Sequence, residues 1–202
     1  VLQSSFGVNM LALNHGRPEL LNLLDVIRIF YKFIKTVITR RTQFLLNKVR
    51  AKAHMLIGLA VAVDNIDEVV VLIRSSQTTK EAKEKLISRK WPAKNVVQLI
   101  KLVQDKGNKI IDDYFYFTVE QVNAILEMKL AKLTGLEMVK ITDELNILAG
   151  EIAKYLKILS DRETLINLIK LELIDIKENF ANPRRTTIED GEFESDIESL
   201  IP

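Results

Sequence analysis

Cysteine is absent from this chain, and disulfides and thiolate metal centres are excluded with it. Such usage fits a reducing compartment, so the cytoplasm is the expected location. Glycine and proline are scarce, seven and four among 202 residues, which leaves little room for loops and points to a mainly helical protein. No charge-free apolar run reaches the roughly eighteen residues of a membrane span, so no membrane partner is expected. The two histidines, His15 and His54, have no second histidine or cysteine at ligand spacing. Asp112-Asp113 beside aromatics and Asp67-Glu68 read as a solvated loop and a charged helix face; cation binding is the alternative for the first. Walker loops, dinucleotide-binding glycine patterns and nucleophile elbows are all missing, so no metal, cofactor or catalytic residue is expected within these residues.

A large net charge is missing too: 29 basic and 27 acidic residues give only +2. The distribution is uneven, however. Glu189, Asp190, Glu192, Glu194, Asp196 and Glu198 fall in the last fourteen residues with no base among them, which leaves the body at about +8. A polyanionic partner and an ordinary solvated helical surface both fit that balance. The first residues, Val1 to Ser5, resemble neither an initiator methionine nor a signal peptide, and read as a cut inside a larger protein.

What is present is helical periodicity. Met138, Ile141, Leu145, Leu148, Ile152, Tyr155, Leu159, Arg162, Ile166, Ile169, Leu173, Ile176 and Phe180 recur at steps of three or four, and only Arg162 is not apolar. Such a seam needs a partner helix. Residues 25–63 supply one: with Asp25 as N-cap, apolar residues recur along it with no glycine or proline before Gly58, and roughly 38 residues of helix span roughly 55 Å. Between the two lies a helical head, 64–135. Asp64 or Asn65, Thr78 or Thr79, and Asn95 open short helices there, and Trp91-Pro92 closes the second. Tyr114 to Phe117 is extended in character. Thr118-Val119-Glu120-Gln121 is a capping box that opens a helix to about Leu133, with Gly135 closing it. The return stretch is 136–182, and Ser160-Asp161-Arg162-Glu163, a second capping box, is expected to break or bend it. Residues 1–24 read as a β-hairpin turned by Asn14-His15-Gly16-Arg17-Pro18. Residues 183–202 form an acidic tail poor in core-forming side chains. The expected fold is therefore mainly α: a long antiparallel coiled-coil arm, a small helical head that dimerises, and a terminal hairpin.

Two surfaces stand out. Val122, Ile125, Leu126, Met128, Lys129 and Leu133 lie on a helix in a head short of polar cover, and an exposed apolar face there would be a dimer interface. Thr39-Arg40-Arg41-Thr42 interrupts the apolar pattern of the first helix. One of its arginines pairs with a carboxylate of the return helix, or the two contact phosphate. Arg40, Arg41, Lys48, Arg50 and Lys52 are the candidates for DNA or ion-pair contacts.

Several segments carry a resemblance to a known family. Ser5-Phe6-Gly7-Val8-Asn9-Met10, Thr39-Arg40-Arg41-Thr42, Asn65-Ile66-Asp67-Glu68, Gln121 to Leu126, Leu133-Thr134-Gly135-Leu136-Glu137 and Arg184-Arg185-Thr186 resemble, in order, the C-terminal part of the breakage-reunion domain of the DNA gyrase A subunit. That family belongs to the bacterial type IIA topoisomerases. Its topoisomerase IV paralogue shares most of these motifs; the acidic tail resembles the linker of gyrase. The resemblance implies that the hairpin ends a tower-type α/β domain and that the head is the C-gate, through which a transported duplex leaves. The implied partners are a second copy, the gyrase B subunit and, transiently, duplex DNA. Mg²⁺ and ATP would act through that B subunit. None of Tyr31, Tyr114, Tyr116 or Tyr155 sits in the family's arginine-tyrosine motif, so no nucleophile carries over and these residues alone should be inactive. A plain coiled-coil tether and a nucleic-acid-binding arm are the rival readings.

Overall fold

His15 and Gly16 both take positive φ, 49° and 80°, and fold the chain back on itself. Two such residues meet the requirement of a type I′ hairpin turn. β1 (Met10–Asn14) and β2 (Arg17–Leu21) flank the turn as an antiparallel pair, with Met10 opposite Leu21 and Asn14 opposite Arg17. The Asn14 amide donates to the Glu19 carboxylate across the pair at 3.0 Å. His15 is thus a turn residue. The structure, a computed structural model, describes Gly7 and residues 9–93, 109–111, 114–128 and 135–187. Phe6, Val8, the helix expected from Asn95, Asp112-Asp113 and the acidic residues from Glu189 on lie outside these.

The fold is mainly helical, as the composition implied. α1 (Leu23–Asp64) runs for 42 residues. Its cap is Asn22, not Asp25: the Asn22 side chain accepts the Asp25 backbone N–H at 2.8 Å. Asp25 instead occupies the first turn, where a carboxylate meets the positive end of the helix dipole. Gly58 does not end the helix. α2 (Ile66–Arg74) and α3 (Thr79–Ser88) follow, the latter capped by the Thr78 hydroxyl. Asn65 does not cap α2; its amide donates to the carbonyls of Val61 and Pro92 and ties the end of α1 to the next strand.

Sequence patterning anticipated the extended aromatic run but not its sheet. β3 (Trp91–Pro92), β4 (Lys109–Ile111) and β5 (Tyr114–Tyr116) pair antiparallel in the order β3-β5-β4. The sheet seats Trp91 and Phe115, both fully buried, beside Phe117, with the Trp91 and Phe117 rings 5.4 Å apart. The Trp91 indole N–H donates to the Leu86 carbonyl at 3.0 Å. Arg89 lies over the indole and pairs with Glu68 of α2.

α4 (Val119–Leu126) is shorter than the helix expected to Leu133; residues 129–134 lie outside the described set. α5 (Gly135–Ser160) and α6 (Arg162–Phe180) are separated by Asp161 alone. The break was expected, but Asp161 is its cap: the carboxylate accepts the N–H groups of Glu163 and Thr164 and the Thr164 hydroxyl. Those three bonds hold its pKa below the ordinary 3.8, the Thr164 hydroxyl foremost. Ser160 only returns a weak bond to the Lys157 carbonyl.

Contacts divide the chain into two units, Thr39–Thr164 and Val1–Ile38 with Leu165–Pro202. Within the first, α1 and α5 share one core through Leu46, Ala53, Ile57 and Val61 on one side and Ile141, Leu145, Leu148 and Ile152 on the other. Lys52 pairs with Glu144 alongside it. The long stripe keeps its phase through Ile152, Tyr155 and Leu159. Beyond Asp161 its members differ: Ile169 is buried, whereas Ile166 is 37% exposed and Arg162 is exposed; Leu165, outside the stripe, is buried as well.

Candidate dimer and nucleic-acid surfaces

α4 begins with a complete capping box. The Thr118 hydroxyl accepts the Gln121 backbone N–H at 3.4 Å, and the Gln121 side-chain carbonyl accepts the Thr118 N–H at 3.0 Å. Two otherwise orphaned donors are satisfied reciprocally. The same two side chains also reach α1. His54 Nε2 lies 2.9 Å from the Thr118 hydroxyl oxygen, and the Gln121 amide donates to the His54 carbonyl at 2.7 Å. Gln121 is fully buried.

The Glu120 carboxylate is held below its ordinary 4.5, first by its own backbone N–H and next by the Thr118 hydroxyl.

Gly58 permits this approach. A Cβ there would lie 2.6 Å from Gln121 Cγ and 2.8 Å from Gln121 Cβ. The sequence carried the signal in the glycine one turn after a histidine on a continuous helix, but nothing local named α4 as its neighbour. His54 was expected as a surface or partly packed residue; it is half-buried and hydrogen-bonded.

The candidate interface residues divide between two faces. Val122 is fully buried and Ile125 is 4% exposed, both in the chain's own core. They hold α4 against the rest of the core. Leu126 and Met128 are half-buried, while Lys129 and Leu133 lie outside the described residues. Val119 is 55% exposed, whereas Asn123 is half-buried and Leu126 packs against the core.

Of the basic candidates, Arg40, Arg41 and Lys48 are exposed on α1. Lys52 is engaged with Glu144. Arg50 is half-buried, and its Nε has no hydrogen-bond partner among the described residues. Arg41, Lys48 and Lys52 recur at steps of seven and four and so share a face of α1. Of the remaining acids, Glu68 pairs with Arg89 and Asp67 is exposed at the start of α2. Among the described residues no group of three His, Cys, Asp or Glu could hold a metal ion, and no helix is long and apolar enough to cross a membrane.

These features define a helical-arm module, in which a long helix shares its core with a returning one and carries a capped short helix seated on it. The chain belongs to the family of DNA gyrase and topoisomerase IV A subunits, whose model matches residues 1–174. Its relatives named as the A subunit of DNA gyrase include that of Rickettsia bellii, 50% identical over 200 residues, covering 99% of this chain and 22% of that protein. That of Granulibacter bethesdensis is 43% identical over 201 residues, covering 99% and 21%. That of Clostridium acetobutylicum is 42% identical over 200 residues, again covering 99% and 21%. The chain thus spans about a fifth of the length of these curated relatives.

Proposed function

We propose that this chain is the part of a DNA gyrase A subunit that joins two copies at the exit gate of a type IIA topoisomerase. The parent enzyme, assembled with the B subunit in the bacterial cytoplasm, breaks and rejoins duplex DNA and introduces negative supercoils with ATP and Mg²⁺. These residues act mechanically: they hold the two copies together while the ends of the break are apart, and they part to release the passed duplex. The observation that carries the reading is that α4 is locked on one side and leaves apolar surface on the other. Val122, Ile125 and Gln121 fix it, while Val119 is exposed and Met128, just past its end, is half-exposed. Family membership supports the parent's identity, and the relatives' names favour gyrase over topoisomerase IV.

The test is sedimentation equilibrium of the chain with Val119→Glu and Met128→Glu together. Both positions carry exposed surface, and an acid at Val119 suits the first turn of a helix. The expected result is a dimer that becomes monomeric with its helix content intact. A dimer that ignores both substitutions sinks the assignment. Duplex DNA binding by this chain is expected to be weak. Each phosphate neutralised contributes about −0.9 to the slope of log K on log salt, so a few contacts by Arg40, Arg41, Lys48 or Arg50 give a shallow slope. Sequence-specific, salt-insensitive binding would favour the rival nucleic-acid-binding arm.

A further inference from the structure

Gln121 is a polar side chain with no exposure, and nothing about the α4 helix itself requires it to be buried. A capping glutamine ordinarily works at the surface, closing on the backbone in front of its own helix. Here it closes that box and also crosses to α1, where it donates to the carbonyl of His54. That carbonyl lies in the interior of a helix, where the regular pattern already gives it the N–H of residue 58. A second donor reaches it because residue 58 is glycine and leaves the flank of the helix bare. The His54 ring then completes the circuit by bonding Thr118, the cap itself.

We propose that His54, Thr118 and Gln121 form a fixed-angle polar joint between α1 and α4, and that this joint positions the outer face of α4 for docking by a second copy. The inference rests on the exit-gate reading above and assigns its positioning residues. An apolar contact alone would let a helix of eight residues slide or rotate on α1 at little cost, because dispersion and burial are not directional. Hydrogen bonds are directional, and these are anchored at both ends. Gln121 is held through its carbonyl by Thr118 and through its amide by His54, so it has no rotamer to retreat into. Gly58 sets the depth of the seat and the three side chains set its angle. Val119 then faces outward, with Met128 half-exposed just beyond the end of the helix.

The joint makes a prediction that ordinary stabilising contacts do not. His54→Ala removes the ring bond to Thr118 and leaves the backbone carbonyl for Gln121. It should weaken the dimer about tenfold, on the scale of one directional hydrogen bond, while far-UV circular dichroism and the melting point of the monomer stay as in the parent chain. His54→Gln, whose amide can either donate to or accept from the Thr118 hydroxyl, should restore the dimer. Gly58→Ala is the independent variant. Alanine is the better helix former, so α1 persists, but its methyl meets Gln121 at the 2.6–2.8 Å noted above and lifts α4 from its seat. The dimer should weaken at least as much as with His54→Ala.

All variants are compared by sedimentation with Met128→Glu as the control. If Met128→Glu yields monomers while His54→Ala and Gly58→Ala dimerise like the parent, the joint is refuted and the interface stands. If Met128→Glu itself changes nothing, the interface reading fails first. If the loss of dimer in His54→Ala tracks a matching loss of melting point and His54→Gln does not restore it, the residues are merely structural and the positioning role is overturned.

Discussion

The two ends of α1 carry similar side chains and meet different fates. In the later turns Ile57, Val61 and Ala53 have no exposure, and Leu46 has 2%. In the first turns Ile27, Phe30 and Phe33 are 56%, 53% and 65% exposed. The same contrast separates Leu145 and Ile152, fully buried in α5, from Ile176 and Phe180 of α6, 53% and 76% exposed. Apolar periodicity records which face of a helix seeks cover. Whether cover is present depends on what the rest of the chain places there. Thr39–Thr164 has α4, the sheet and α5 to build with, and its apolar residues join one core. The other unit has a hairpin whose Leu11, Leu13 and Leu20 are themselves 71%, 76% and 70% exposed.

The contrast is broken most directly by truncating matched side chains. Leu145→Ala should cost about 2–5 kcal/mol in denaturant unfolding, the range for deleting a buried leucine. Phe33→Ala, in the exposed stretch, should stay within about 0.5 kcal/mol. Comparable losses at the two positions would erase the distinction. Trp91→Phe should fall next, at about 1–3 kcal/mol, because it opens a small void and leaves the Leu86 carbonyl without its indole donor. A smaller loss, about 1 kcal/mol, is expected from Asn22→Ala, which removes the α1 cap in the sparsely covered unit.

Asp161 sharpens the comparison through pH. Its folded pKa is depressed, so its contribution is present above the ordinary 3.8 and is lost as pH falls below that value toward the folded pKa. The melting point of the parent chain should fall through that window, and Asp161→Asn should remove this component of the fall. Identical acid profiles would show that the cap does not couple to folding. The smallest effect belongs to Lys52→Ala. Its pair with Glu144 is more than half exposed on the lysine side, at 58%, so the change should be below about 1 kcal/mol and vanish at high salt.

Local signals proved the most legible part of the sequence. The hairpin turn at His15-Gly16, the Thr78 cap, the Thr118–Gln121 box and the interruption beside Ser160 each depend on residues within four positions of one another, and each forms. What escaped depends on distant residues. Nothing near Trp91 announces that it pairs with Phe115, 24 positions away. The apolar content of α4 was evident, but not which side of it meets the core; Gly58 on α1 admits Gln121, and Val122 and Ile125 are buried beside it in the sequence. Asn22 displaced Asp25 as cap because the helix begins at Leu23, ahead of Asp25.

Trp91 gives the molecule an optical asymmetry. It is the chain's single tryptophan, fully buried beside Phe117 and under the Arg89 guanidinium, and it lies within Thr39–Thr164. Its emission should be blue-shifted in the folded chain and should move to the red when that unit opens. The helical signal in circular dichroism comes from both units, but the indole fluorescence comes from one. In a single cooperative transition the two curves superimpose. If the exposed turns of α1 and α6 melt first, ellipticity will fall while the emission colour holds, and the gap between the curves will measure how independently the two units fold.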